Sequence, residues 1–157
     1  PEDGAVAGRE CEHLVPVGAD VADAVCDRHG GGDVRIRLNL ADFGAVLWRY
    51  RDRNFPYLSS AAIAGERLLI GGRDKQLHCI ERATGMSLWK FRARGPVDSS
   101  PVVCADAVVV GSEDGRLYCV ELADGRERWV YEMGAPITAS PAVGAGRLIV
   151  GSEDGAF

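Results

Sequence analysis

Short runs of alternating apolar and polar residues, separated by turn residues, occupy most of the chain from residue 48 onward. In the stretch 99–132 the pattern predicts four strands, at about 99–104, 107–111, 116–121 and 127–132. The dipeptide Asp114-Gly115 separates two of these runs and is typical of a tight hairpin turn. No stretch shows sustained helical spacing of its apolar residues. The pattern therefore predicts an all-β chain.

The same pattern returns along the chain with a period of about 40 residues, apart from one extra residue near 53–56. The segment 111–115 recurs unchanged at 151–155. The repeated structural positions are Trp48, Trp89 and Trp129; Gly71, Gly111 and Gly151; Asp74, Asp114 and Asp154; Ser60, Ser100 and Ser140; and Gly85 and Gly125. Four strands in each repeat predict a β-propeller of four-stranded antiparallel blades. A β-solenoid is the competing fold, but its repeats are usually shorter and its strands parallel.

The repeats divide the chain at junctions near residues 48, 89 and 129. Residues 30–157 are predicted to form the blades, with the last one truncated, and residues 1–29 a poorly repeating remnant of a first blade. This is a partial ring of roughly three to four blades, whereas propellers close with roughly four to eight. We therefore expect the arc to be marginally stable alone, and either to associate with itself or to belong to a longer polypeptide.

Aromatic residues recur in pairs that are two positions apart in the last strand of each unit. The pairs are Trp48 and Tyr50, Trp89 and Phe91, and Trp129 and Tyr131. Alternation in a strand places both rings of a pair on one face. We predict that these rings pack between blades, because a tryptophan covers a large apolar area, and stacking on a ligand is the alternative.

Three motifs carry a family resemblance: Ser-Pro-Val-Val at 100–103, Gly-Ser-Glu-Asp-Gly-Arg-Leu-Tyr at 111–118, and Asp-Gly-x-x-x-Trp at 124–129. Together they resemble the repeat of pyrroloquinoline-quinone-like (PQQ-like) β-propellers, including its tryptophan docking position, and the resemblance covers residues 30–157. The family contains quinoprotein dehydrogenases, and also non-enzymatic members such as the outer-membrane assembly lipoprotein and propellers attached to bacterial kinases. Fold alone does not choose between these activities.

The catalytic members of that family have features that can be checked in the sequence. Their quinone lies against a disulfide ring of two adjacent cysteines, and their calcium is held by Glu, Asn and Asp. This chain has no adjacent cysteines, and its asparagines are Asn39 and Asn54 alone. The resemblance therefore implies a non-catalytic binding or scaffold module with no cofactor and no catalytic residues. A fragment of a PQQ-dependent dehydrogenase is the alternative.

The resemblance also implies where the chain acts and on what. A protein or a small ligand is expected at one propeller face, further blades of the same or another chain are expected as neighbours, and the compartment is expected to be the periplasm or cell envelope. The net charge of −5 argues against nucleic acid as a partner. No stretch approaches the roughly 20 apolar residues of a membrane helix, and the first residues do not resemble a secretory signal.

Cysteines, histidines and acidic turns are the remaining candidates for chemistry. Most of the five cysteines are expected to be small core residues. The set Cys11, His13, Cys26 and His29 has zinc-ligand types, but its Cys-x-His spacing is tighter than zinc sites usually have, so no metal site is predicted. The acidic pairs at 113–114 and 153–154 are expected to be solvated turns.

Overall fold

The computed structural model of the chain describes residues 23–26, 34–37, 48–52 and 54–155, the first two segments by their backbone. These residues form thirteen strands and no helix, arranged as four antiparallel sheets in chain order. The predicted all-β class with four-stranded antiparallel units is therefore confirmed. The predictions for residues 1–22, 27–33 and 38–47 lie outside the described residues. No helix within the described residues is long and apolar enough to cross a membrane.

The four sheets differ in how many strands the structure describes. The first sheet contains β1 (Asp23–Cys26), β2 (Val34–Arg37) and β3 (Trp48–Tyr50). The second contains β4 (Ala62–Ala64), β5 (Arg67–Gly72), β6 (Gln76–Glu81) and β7 (Ser87–Arg92). The third contains β8 (Val102–Cys104), β9 (Ala107–Gly111), β10 (Arg116–Glu121) and β11 (Glu127–Glu132). The fourth contains β12 (Ala142–Gly144) and β13 (Arg147–Ile149).

Strand β8 is shorter than the sequence pattern predicts, because it begins at Val102 and not near residue 99. The amide of Gly111, at the end of β9, donates its hydrogen bond to the buried side chain of Ser99 and not to a backbone oxygen of β8. The distance from the amide to Ser99 Oγ is 3.2 Å. Ser59 does the same in the second sheet, where its Oγ lies 2.9 Å from the Gly71 amide. A side-chain bond of this kind satisfies the backbone without extending the strand.

The second and third sheets each pack one face against the preceding sheet and the other face against the following sheet. One cluster joins the second and third sheets, with members such as Leu69, Leu77, Val108 and Tyr118. Another cluster joins Tyr50 of the first sheet to residues of the second, and a third joins the third sheet to Ile137 and the fourth. Because alternate residues of one strand face opposite neighbours, both faces of β5 and β6 are buried, and they are apolar except at His78.

The described cysteines fall into two kinds. Cys79 and Cys119 are free and buried in the sheet clusters, and burial raises the pKa of each thiol to about 11. Both are small core residues, as expected. Cys104 differs from that expectation, because it is disulfide-bonded.

Candidate functional site

Two of the three repeated tryptophans make the same contact with the following sheet. The indole Nε1 of Trp48 donates a hydrogen bond to the backbone oxygen of Arg82 at 2.9 Å, and that of Trp89 donates to the backbone oxygen of Leu122 at 3.1 Å. Both acceptors lie in the turn that precedes the last strand of the next sheet. Each tryptophan therefore ties its own sheet to its successor through one side-chain hydrogen bond and its ring.

Each indole ring packs directly on a glycine of the turn that accepts its hydrogen bond. Gly125 has a φ of +74°, and a Cβ built on it would be 2.5 Å from the Trp89 ring. Gly85 has a φ of +76°, and its Cβ would be 2.6 Å from the ring of Trp48. Glycine is required at these positions both by the left-handed backbone and by the close approach of the indole.

The third tryptophan is exposed at the face of β11. Trp129 is 42% exposed and Tyr131 is 63% exposed. Within the described residues the Trp129 indole makes no hydrogen bond, in contrast to the indoles of Trp48 and Trp89. Between β11 and β13 lies a groove of about 1090 Å³ that is lined by apolar side chains, among them Leu117, Met133 and Leu148. We call Trp129, Tyr131 and this groove the β11 face.

The repeated aspartates organise turns. The Asp114 carboxylate accepts hydrogen bonds from the Arg94 and Gly95 amides at 3.0 Å each and from the Tyr118 hydroxyl at 2.7 Å. Its other oxygen accepts from the Arg116 amide at 2.9 Å, as expected of a turn residue. The half-buried Asp114 therefore also fixes the connection between the second and third sheets, which the expectation of a solvated turn did not include. Asp74 accepts a hydrogen bond from the Gln76 amide at 3.2 Å, and Asp154 pairs with the Ser152 hydroxyl.

The neighbouring acidic position forms an ion pair between sheets. Glu113 accepts a hydrogen bond from the guanidinium of Arg73 at 2.8 Å, and Arg73 also lies 3.6 Å from the carboxylate of Asp98. Burial and a hydrogen bond with Asp98 raise the pKa of Glu113, although Arg73 opposes the rise. These side chains therefore join consecutive sheets and do not form a simple acidic rim.

The three repeated serines, and the repeated glycines at positions 71 and 111, contact residues of a neighbouring unit. The Ser60 amide donates to Ser100 Oγ at 2.8 Å, and the Ser100 amide donates to Ser140 Oγ at 3.2 Å. This chain of hydrogen bonds links three consecutive units. Gly71 and Gly111 lie against Val97 and Ile137, and Gly151 follows β13.

A polar cluster is buried between the first and second sheets. His78 is completely buried, with its Nδ1 3.0 Å from the Tyr50 hydroxyl and its Nε2 3.2 Å from the Asp74 carboxylate. The ring of Tyr57 meets His78 edge-on at 5.4 Å, and burial, followed by the nearby Tyr50 and Asp74, raises the pKa of Tyr57. Asp52 completes the cluster. Asp52, Asp74 and His78 offer ligand atoms that all lie within 4.8 Å of one another.

Sequence reasoning missed this cluster, although a signal was present. At the equivalent positions of the next unit stand Phe91 for Tyr50, Ala93 for Asp52, Val97 for Tyr57 and Tyr118 for His78. Tyr50 returns in register as Tyr131, so three departures from the repeat, at Asp52, Tyr57 and His78, converge on one place.

Comparison with known proteins gives one family and several structural relatives. The model of the PQQ_2 family, described as outer membrane protein assembly factor BamB, matches residues 32–157. No curated protein matches the chain.

Several solved structures share the fold. The computationally designed Ika4 protein has a TM-score of 0.71 and 16% identity, over 88% of this chain and 82% of that one. The designed Ika8 protein has a TM-score of 0.68 and 16% identity, over 80% of this chain and 38% of that one. BamB from Moraxella catarrhalis has a TM-score of 0.66 and 17% identity, over 87% of this chain and 45% of that one. This chain thus spans less than half the length of the last two.

Proposed function

We propose that this chain, which belongs to the PQQ_2 family, is a non-catalytic binding or scaffold module whose partner occupies the β11 face. The exposed Trp129 carries this proposal. At the two equivalent positions the indole donates a hydrogen bond to a turn of a neighbouring sheet. The β11 face presents the same donor and the same ring, with an apolar groove beside them.

The partner of this face is a protein, and the proposed occupant is a strand–turn–strand unit of the same repeat type that extends the fourth sheet beside β12 and β13. Such a unit would offer a turn with a left-handed glycine and a free backbone oxygen, as Leu122 and Gly125 do for Trp89. An exposed apolar patch with a defined polar donor is typical of a protein interface. We place the module in the periplasm or cell envelope. The family and the disulfide of Cys104 support this compartment, since disulfides persist in oxidising surroundings.

Self-association of the purified chain tests the β11 face. We expect the sedimentation coefficient to rise with concentration, and Trp129→Lys with Tyr131→Lys to reduce that rise strongly, because two charges would enter an apolar contact. Met86→Lys is the matched control, since Met86 is also exposed, at 66%, but lies away from this face. A strictly monomeric wild-type chain with a cooperative melt would contradict the proposal.

A titration with quinone tests the non-catalytic part. The chain should show no micromolar binding of pyrroloquinoline quinone by calorimetry, with or without calcium, because the adjacent cysteine pair is missing and calcium requires six to eight oxygen ligands. Micromolar or tighter binding of the quinone, seen also as a quinone absorbance, would contradict this prediction. If the loaded chain then reduced a dye in the presence of an alcohol, the result would support the dehydrogenase alternative.

A further inference from the structure

The buried polar cluster has the composition and geometry of a metal site. We propose that Asp52, Asp74 and His78 bind a divalent transition-metal ion of the Zn²⁺ class at the junction of the first and second sheets. Two carboxylates and one imidazole are donors that zinc accepts, and three protein ligands with one further position is a common zinc arrangement. Magnesium and calcium are disfavoured, because they prefer oxygen ligands throughout.

The distance between His78 and Asp74 allows one ion to bind both side chains with little movement of either. Two atoms that each lie about 2.1 Å from a tetrahedral ion are about 3.4 Å apart. His78 Nε2 lies 3.2 Å from the Asp74 carboxylate, and both side chains are almost fully buried. The Asp52 carboxylate lies within 4.8 Å of the other ligand atoms, so a shift of at most about 1.4 Å would complete the set.

Tyr50 orients the imidazole for this role. Without metal, the Tyr50 hydroxyl donates to His78 Nδ1 and the Nε2–H donates to Asp74. With metal, the ring takes the other tautomer: Nδ1–H is donated to the Tyr50 oxygen, and the Nε2 lone pair binds the ion. The distance of 3.0 Å between Nδ1 and the hydroxyl serves both states. Hydrogen bonding of the second ring nitrogen is the usual support of a metal-bound histidine.

Entry to the site is through the Asp52 side. The Asp52 side chain is 23% exposed, and it now forms an ion pair with Lys90 at 2.6 Å. Lys90 is 31% exposed and can swing into solvent when a metal ion takes its place. The lysine therefore competes with the metal for one carboxylate. Because Asp52 follows β3 while Asp74 and His78 belong to the second sheet, the bound ion would cross-link two consecutive units.

The departure from the repeat is an independent argument. At the equivalent junction between the second and third sheets, the Tyr118 hydroxyl donates a hydrogen bond to the Asp114 carboxylate at 2.7 Å. The Tyr118 ring packs on the Phe91 ring, with 5.2 Å between the ring centroids, and no metal-ligand side chain replaces either aromatic residue. The junction with the first sheet replaces Tyr118 by His78 and Ala93 by Asp52. Both changes introduce a metal-ligand side chain, and both point into one cluster.

The test uses the chain with His13→Gln and His29→Gln, so that His78 is the one histidine left of three. We expect calorimetry to give one Zn²⁺ per chain with micromolar or tighter affinity. The ¹⁵N resonances of His78 should change to the pattern of an Nδ1-protonated, metal-bound ring. Zinc should also raise the melting temperature, because the three ligands come together in the folded state. Ca²⁺ and Mg²⁺ should do none of these things.

Substitutions that restore the residues of the next unit provide folded controls. In this background, His78→Tyr and Asp52→Ala should each weaken zinc binding by about 100-fold, while Tyr50→Phe should weaken it by about tenfold. Lys90→Gln should strengthen it. Unchanged zinc affinity in His78→Tyr, or zinc binding that leaves the His78 resonances unmoved, would overturn the proposal and leave a hydrogen-bonded network only. If His78→Tyr fails to fold, Asp52→Ala and the His78 resonances decide.

Discussion

Replacing Trp89 by alanine should lower the free energy of unfolding by about 3 kcal/mol, because truncating a large packed aromatic leaves a cavity. The Trp89 ring packs against the cluster that joins the second and third sheets, and it covers the Gly125 turn. Its indole also donates to the Leu122 oxygen, which would lose this partner. For a domain of this size, the melting temperature should fall by about 6 to 12 °C.

The same substitution at position 129 is the internal control for this prediction. Trp129 occupies the equivalent place in β11 but is 42% exposed, and its indole has no hydrogen bond in the described part of the chain. Trp129→Ala should therefore cost less than about 1 kcal/mol. Both variants should be unfolded in denaturant at low protein concentration, with circular dichroism as the signal, so that self-association does not contribute. Equal losses at positions 89 and 129 would contradict the assignment of Trp89 to a sheet junction.

The fold could be predicted from the sequence because its determinants recur at fixed spacing. Trp89 and Gly125 contact each other at the junction of the second and third sheets. Both residues recur in register with the repeat, so the period alone is enough to identify the four-stranded unit. The strand boundaries were less accurate at β8, where the Ser99 side chain takes the place of a ladder bond. The sequence of a strand does not show whether a serine hydroxyl or a backbone group makes the hydrogen bond to the neighbouring strand.

The sites were harder to predict than the fold. Asp52, Tyr57, Asp74 and His78 come from three separate segments, and the chain has to fold before they meet. Asp114 looked like a turn residue because its dipeptide is typical of hairpins, and its role in holding the Arg94–Gly95 connection depends on a contact between sheets. Repetition reveals what every unit shares, whereas a special site lies where one unit departs from the others.

Replacing Gly125 by alanine should also destabilise the chain by about 3 kcal/mol, for two separable reasons. A left-handed conformation costs an alanine about 1–2 kcal/mol. The new methyl group would also lie about 2.5 Å from the Trp89 ring, so the indole must move and weaken its packing and its hydrogen bond. Gly146→Ala measures the backbone part alone, since Gly146 has a φ of +69° and no atom within 4 Å of an added Cβ.

A double-mutant cycle separates the ring contact from the backbone cost. With Trp89 already replaced by alanine, the methyl group at position 125 meets no indole, so Gly125→Ala should cost only as much as Gly146→Ala. The losses of unfolding free energy in the two single variants, added together, should therefore exceed the loss in the double variant by about 1–2 kcal/mol. This is in the range measured for residues in contact. Denaturant unfolding of the four proteins gives this coupling. Strict additivity would mean that Trp89 does not rest on Gly125, and the tryptophan–glycine contact would then be absent from this junction.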